Sequence, residues 1–173
     1  NRKRKTEMKK SILALGLSLA SVMLFAESLG EQNFKQKTSI PANIASSFTW
    51  GKGVLKCSLP VRPEGVKFIK QGVRTILPNT LAGKKVEFSA DVRWIDAEVK
   101  GTPQKGYIQF AMYKNDGNAD WNGMDPSPSQ KEWTTLKKTF RVPADLKTFV
   151  MVIGFENACG NFEVRNIEYK VID

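Results

Sequence analysis

The sequence contains no histidine, and only two of its 173 residues, Cys57 and Cys159, are cysteines. Without histidine the commonest general base is missing, and with it imidazole metal sites and Ser/His/Asp triads. Two cysteines alone are too few for a structural zinc site. Long apolar runs are also scarce. Ile12 to Phe25 is about 14 residues, short of the roughly 20 that a membrane-spanning helix needs. Helical periodicity is absent after residue 28, and no low-complexity run or internal repeat appears. A hydrophobic content of 41% is nevertheless enough for the core of one domain.

The formal charge of +10 suggests a polyanion partner until its distribution is considered. Arg2, Lys3, Arg4, Lys5, Lys9 and Lys10 all precede the apolar run, and Ala26 and Ser28 occupy small-residue positions behind it. That order, with Met8 as initiator, reads as a signal peptide, so residues 1–28 form a basic leader that is removed on export. No cysteine lies at the cleavage point, which argues against a lipid anchor, and no membrane span is expected after cleavage. The remaining chain holds 21 basic and 15 acidic residues, a net +6 spread over many segments. It has no basic helix and no Lys/Arg run interleaved with aromatics, so nucleic acid is not an expected partner. A secreted, periplasmic or cell-envelope location permits a disulfide between Cys57 and Cys159. Two buried free thiols fit the sequence equally well.

What is present is alternation. In Glu132 to Val171, Leu136, Phe140 and Val142 share one parity, while Thr135, Lys137, Thr139 and Arg141 share the other. Pro143 to Asp145 ends that run, and Thr148 to Glu156 is apolar at nearly every position, as for a strand covered on both sides. The apolar parity flips between Val164 and Ile167. A β-bulge at Arg165-Asn166 would keep Phe162, Val164, Ile167, Tyr169 and Val171 facing inward. Val86, Phe88, Ala90, Val92 and Trp94 form the cleanest amphipathic strand, which places Trp94 in the core. Residues 29–47 read as a flexible lead-in, Ile95 to Lys105 as an acidic loop, and Asn115 to Lys131 as a long polar loop. Eight to ten short strands separated by Gly, Pro and Asn turns predict an all-β antiparallel β-sandwich or jelly roll over residues 48–173.

Three blocks carry a family resemblance. GVRTILPNTLAGKKVEFSADVR, EWTTLKKTFRVPADLKTFVMVIGF and GNFEVRNIEYKV together resemble the scaffold motifs of carbohydrate-binding modules of families four, nine and twenty-two. These belong to the galactose-binding-domain-like jelly rolls, and the similarity runs over roughly residues 66 to 172. It implies a non-catalytic domain that binds a poly- or oligosaccharide. The family's closing strand usually has an acidic residue after the valine that corresponds to Val164, often serving a structural calcium. Arg165 stands there, and a cation cannot ligate calcium, so no cofactor is expected unless Asp or Glu side chains elsewhere build a calcium site.

The residues suited to a sugar lie near Gly106 to Lys114. Ile108, Phe110 and Met112 take the core parity, leaving Tyr107, Gln109 and Tyr113 on the other face, with Asp120, Trp121 and Asn122 in the following loop. Sugars present apolar C–H faces ringed by hydroxyls, so a receptor needs flat aromatic platforms beside amides and carboxylates. Arg93 and Glu87 join this set if their strand neighbours the tyrosine strand. Trp133 matches a scaffold position. The charged face of Glu87 and Asp91 reads as solvated sheet surface, and the Glu-x-Asp-x-x-Glu arrangement of jelly-roll glucanases is absent. The first reading is thus a secreted carbohydrate-binding protein with its site on a concave sheet face or in a loop-lined cleft. The alternative is a cell-envelope structural or protein-interaction domain.

Overall fold

The computed structural model describes residues 26–40, 47–59, 70–99, 105–127, 129–156 and 158–172. Within them the chain forms eleven strands and a single 3-10 turn at Asn79–Leu81. The strands are β1 (Glu27–Leu29), β2 (Gln36–Ile40), β3 (Ser47–Gly51), β4 (Val54–Leu59), β5 (Lys70–Leu77) and β6 (Lys85–Val99), then β7 (Lys105–Lys114), β8 (Ala119–Met124), β9 (Thr134–Arg141), β10 (Leu146–Glu156) and β11 (Ala158–Val171). One sheet has the order β3-β4-β11-β6-β9, with β1 also paired to β11; the other has the order β2-β5-β10-β7-β8. Every pairing is antiparallel. The architecture is the all-β sandwich of jelly-roll type that the alternation predicts.

Side-chain parity decides what lies between the sheets. From the first sheet Val86, Phe88, Ala90, Val92 and Trp94 are fully buried, and from the second Ile108, Phe110, Met112, Phe149, Met151, Ile153 and Phe155. The rings interlock in two groups. Phe88 lies 4.3 Å from Phe110 and stacks on Phe140 at 5.6 Å, while Trp94 meets Phe162 at 5.1 Å and Phe155 at 5.8 Å. The bulge occurs where parity requires it. The β11–β6 register shifts between Arg165 and Glu168, Asn166 adopts φ 49°, and Phe162, Val164, Ile167 and Tyr169 are all buried, with Val171 packed on the core edge. The β3–β4 hairpin closes through Lys52 and Gly53 with φ 51° and 76°, as a two-residue turn with positive φ at both positions demands.

Three segments differ from the sequence reading. The expected flexible lead-in contributes structure: β1 ends at Leu29 in register with Ile167, and β2 pairs with β5. Such short strands are held by backbone pairing and offer too few positions for a period to show. The expected acidic loop after Trp94 begins instead as the continuation of β6 to Val99, paired with Ala158 on β11, and its residues 100–104 lie outside the described residues. The polar loop around Trp121 contains β8, which pairs with β7 from Ala119 to Met124. The leader falls outside the described residues up to position 25.

The disulfide is not formed. Cys57 is a free, buried thiol opposite Phe162, whereas Cys159 stands opposite Glu98, three residues along β11 from Phe162. Three residues of strand separate the two positions by about 10 Å, beyond the reach of an S–S bond. Burial pushes the Cys57 thiol far above its ordinary pKa, so it stays protonated and unreactive. Adding dithiothreitol is therefore expected to leave the thermal midpoint unchanged; a drop of several degrees in differential scanning calorimetry would reveal a bridge.

Candidate functional site

The two outer faces of the sandwich have different chemistry. On the outer face of the first sheet, charges are consumed by one another. Glu163, whose side chain is 4% exposed, accepts from Arg93 Nε at 2.8 Å and Nη2 at 2.7 Å, with Lys56 Nζ at 3.5 Å. The guanidinium carbons of Arg93 and Arg165 lie 4.5 and 4.0 Å from the Trp133 ring centroid, which gives that indole the structural role expected of it. Asp91 accepts from Thr135 Oγ1 at 2.6 Å, Asn166 Nδ2 at 2.7 Å and Arg165 Nε at 3.4 Å. The Thr135 hydroxyl, helped by Asn166 and Arg165, holds its carboxyl below the usual range. Glu87 pairs with Lys170 at 2.9 Å, and that hydrogen bond likewise lowers its pKa.

Arg93 and Glu87 therefore do not join the tyrosines. They occupy β6, in the first sheet, while the tyrosines occupy β7, in the second. Parity shows which side of its own sheet a residue takes, and here both sets face outward, but on opposite sides of the core. Arg165 also finds a use: at the position where the resembled family has an acidic residue, it pairs with Asp91. Among the described residues no group of three or more His, Cys, Asp or Glu could hold a metal ion.

The outer face of the second sheet is built of rows across the strands. Ile76, Val150, Ala111 and Trp121 are in register across β5, β10, β7 and β8, forming an apolar row three strand spacings, about 14 Å, wide. Ile76 is 64% exposed and Trp121 54%. Tyr113, 40% exposed, meets Trp121 edge to face at 6.1 Å and 74°. Beside this row lies a cleft of about 260 Å³, lined by Tyr107, Gln109, Trp121, Asn122, Asp125 and Glu156, with Lys138 reaching in from β9.

Tyr107 has a different part from Tyr113. Its row runs through Gly154 and Gly72, and its hydroxyl donates to the Gln71 carbonyl at 3.2 Å, so the ring lies across the sheet and is only 3% exposed. A Cβ on Gly72 would come within 2.9 Å of that hydroxyl, and one on Gly154 within 1.8 Å of the Gln71 carbonyl oxygen. The two glycines thus make the bed in which the tyrosine rests. Burial pushes the Tyr107 hydroxyl well above its ordinary pKa, keeping it a neutral donor. Lys70 Nζ lies 5.1 Å from the ring centroid, donates to Gln109 Oε1 at 3.1 Å and pairs with Glu156 at 3.8 Å. Tyr107 is consequently the floor of the site, and Trp121 and Tyr113 are its exposed platforms.

Of the residues proposed from sequence, Tyr107, Gln109, Trp121 and Asn122 line one cleft and Tyr113 adjoins it. Asp120 lies on the same strand, opposite Met112, and pairs with Lys114 at 3.1 Å. Sequence reasoning missed Asp125, Lys138, Lys70 and Glu156. Glu156 sits on the outward parity of β10, a signal obscured because that strand is apolar almost throughout.

No family model matches the chain, and no curated protein does. Solved structures do. The C-terminal family 22 carbohydrate-binding module of Clostridium thermocellum Xyn10B aligns with a TM-score of 0.53 at 13% identity, over 85% of this chain and 91% of that one. The chain shares its fold with that module. The CBM22-1 xylan-binding domain of Paenibacillus barcinonensis Xyn10C gives 0.54 at 12% identity, covering 86% of this chain and 94% of its own. The family 11 module of the C. thermocellum cellulase Lic26A-Cel5E gives 0.53 at 15% identity, covering 86% and 95%.

Replacing Arg93 with alanine would leave the buried Glu163 carboxylate with only Lys56 nearby. A loss of about 3 kcal/mol is expected in urea unfolding, the low end for breaking a buried pair. Because Arg93 is in the other sheet, ligand affinity should be unchanged in the folded variant; a matching loss of affinity would return Arg93 to the site.

Proposed function

We propose that the protein binds carbohydrate non-catalytically, through the outer face of the second sheet. The observation that carries this reading is the exposed Trp121–Tyr113 pair beside a cleft of amides and carboxylates. The rings supply the flat apolar surface that a pyranose C–H face stacks on, and Gln109, Asn122, Asp125 and Glu156 supply acceptors and donors for its hydroxyls. The fold shared with xylan-binding domains supports a glycan ligand, and open access along the Ile76–Trp121 row suits a chain more than a single sugar. Glu156, occupied by Lys70, serves as a hydroxyl acceptor, so binding should proceed without release of reducing ends. The exposed Ile76 in the same row also supports a second reading, a protein partner.

Calorimetry or affinity electrophoresis against xylan, β-glucan, mannan and galactan tests the proposal. Trp121→Ala and Tyr113→Ala are each expected to weaken binding at least about tenfold, a stacking contact being worth about 0.5–1.5 kcal/mol in addition to the apolar area it buries. Both residues are on the surface, so folding should survive. Failure of the folded protein to bind any of the four would exclude the sugar reading.

Export is part of the same proposal, and the fold bears on where the leader would be cut. Removal after Ser28 would take away Glu27 and Ser28, two of the three residues of β1, and with them the acceptor of the buried Tyr169 hydroxyl. Cleavage after Ala26 retains both. Amino-terminal sequencing of exported protein should accordingly begin at Glu27; a start at Leu29 would contradict this assignment.

A further inference from the structure

A second pocket lies at the opposite edge of the first sheet from β9, sharing no residue with the cleft. It exists because β4 and β1 both pair with the same side of β11. The β4 pairing runs from Gly160 to Arg165, and β1 takes over at Ile167, leaving Asn166 opposite neither strand. The notch between the two strand ends is flanked by the turn after β1 and by the β3–β4 hairpin. Its volume is about 370 Å³, within the range of small-molecule sites.

The lining is selective. Trp50 forms the apolar wall, backed by Phe34 at 5.8 Å between ring centroids. Its indole N–H is buried without an acceptor, a donor left unsatisfied by the protein itself. Around it stand Gln32, Glu31, Lys52, Asn166 and Glu168. Among the described residues, Lys52 and Asn166 are also the only two that are not glycine and have positive φ. The hairpin turn sets the first and the bulge the second, so the two features that shape the notch also fix its rim. Asn166 is held in place by donating Nδ2 to Asp91 at 2.7 Å, and Glu168 accepts from Ser28 Oγ at 3.4 Å.

We propose that this notch is a second carbohydrate site, one that takes a single neutral sugar unit or the end of a chain. An indole wall beside a carboxamide and two carboxylates matches a pyranose in the same way as the cleft does. The turn and hairpin close the notch on two sides, which excludes the middle of a long chain. Two acids against one lysine disfavour a uronic acid. The site stands whether or not the cleft binds a polymer.

The test uses the full chain with Trp121→Ala and Tyr113→Ala, so that the cleft platforms are gone. Methyl glycosides of xylose, glucose, galactose and mannose, with glucuronate as the charged control, are titrated to about 50 mM while the three remaining indole N–H signals, of Trp50, Trp94 and Trp133, are followed by NMR. A saturable shift of the Trp50 signal with at least one neutral glycoside, with buried Trp94 unmoved, is the expected result. Gln32→Ala or Glu168→Gln should weaken that binding at least about fivefold, and glucuronate should give no shift. No Trp50 shift with any neutral glycoside, a shift indifferent to both substitutions, a shared response with Trp94, or an equal response to glucuronate would each overturn the site. None of these outcomes bears on binding at the cleft.

Discussion

One residue keeps the first sheet in phase with the core. β11 passes through the middle of that sheet, paired with β6 along one side and with β4 and β1 along the other. In a regular strand, side chains alternate without exception, so the residues after Val164 would present Arg165 and Ile167 to one face and Asn166 and Glu168 to the other. The bulge at Asn166 inserts half a period. Beyond it Ile167 and Tyr169 return to the interior, and Glu168 and Lys170 turn to solvent. Without that insertion either Phe162 and Val164 or Ile167 and Tyr169 would be forced outward, with a carboxylate or ammonium driven between the sheets in their place. The desolvation cost of that alternative, several kcal/mol for each ion, is on the order of the whole stability of a domain, about 5–15 kcal/mol. The bulge has local effects as well. It points the Asn166 amide at Asp91 and forces β4 and β1 to meet at a gap rather than continue one another.

The same alternation explains how much could be read from the chain. Strands long enough to show a period, such as Val86 to Trp94 and Phe162 to Val171, were legible down to the bulge. β1, with three residues, and β8, whose run Ala-Asp-Trp-Asn-Gly-Met does not alternate, carry no such signal; their pairing partners hold them. The candidate site divided along a related line. Gln109, Tyr113 and Trp121 could be placed because they share or adjoin one strand's outward parity. Arg93 and Glu87 were also outward, but outward from the other sheet, and no period within a strand says which sheet it belongs to. Sheet membership depends on pairing between distant segments, and β6 chooses β11 and β9 over β7 for reasons spread over the whole core.

Two outer faces of one sandwich have consequently taken different tasks. The first sheet buries an acid, Glu163, between Lys56 and Arg93, and Arg93 also stacks on Trp133. Glu163, Asp91 and Glu87 on this face are each already paired, so a new hydrogen bond to any of these carboxylates would first have to compete with an existing one. The second sheet places Asp125 and Glu156 at the cleft and leaves Ile76, Tyr113 and Trp121 uncovered. Exposed rings on a face are costly in isolation but become favourable when an apolar ligand surface covers them.

What turns those rings into a site rather than a patch is the floor beneath them. Tyr107 could stand upright and compete for the same surface, but Gly154 and Gly72 let it lie down, and the hydrogen bond to Gln71 holds it there. Lys70 then bridges Gln109 and Glu156, fixing a carboxamide and a carboxylate before any ligand arrives. Groups already held in place lose little further entropy on binding, so under the proposed function each hydrogen bond to a sugar hydroxyl would keep more of its value. A methyl group on either glycine would act on this arrangement without touching the ligand. On Gly72 it would push against the Tyr107 hydroxyl, and on Gly154 it would drive β10 from the Gln71 carbonyl that this hydroxyl bonds. The glycines are therefore as much part of the recognition surface as the tryptophan, although a sugar need never contact them.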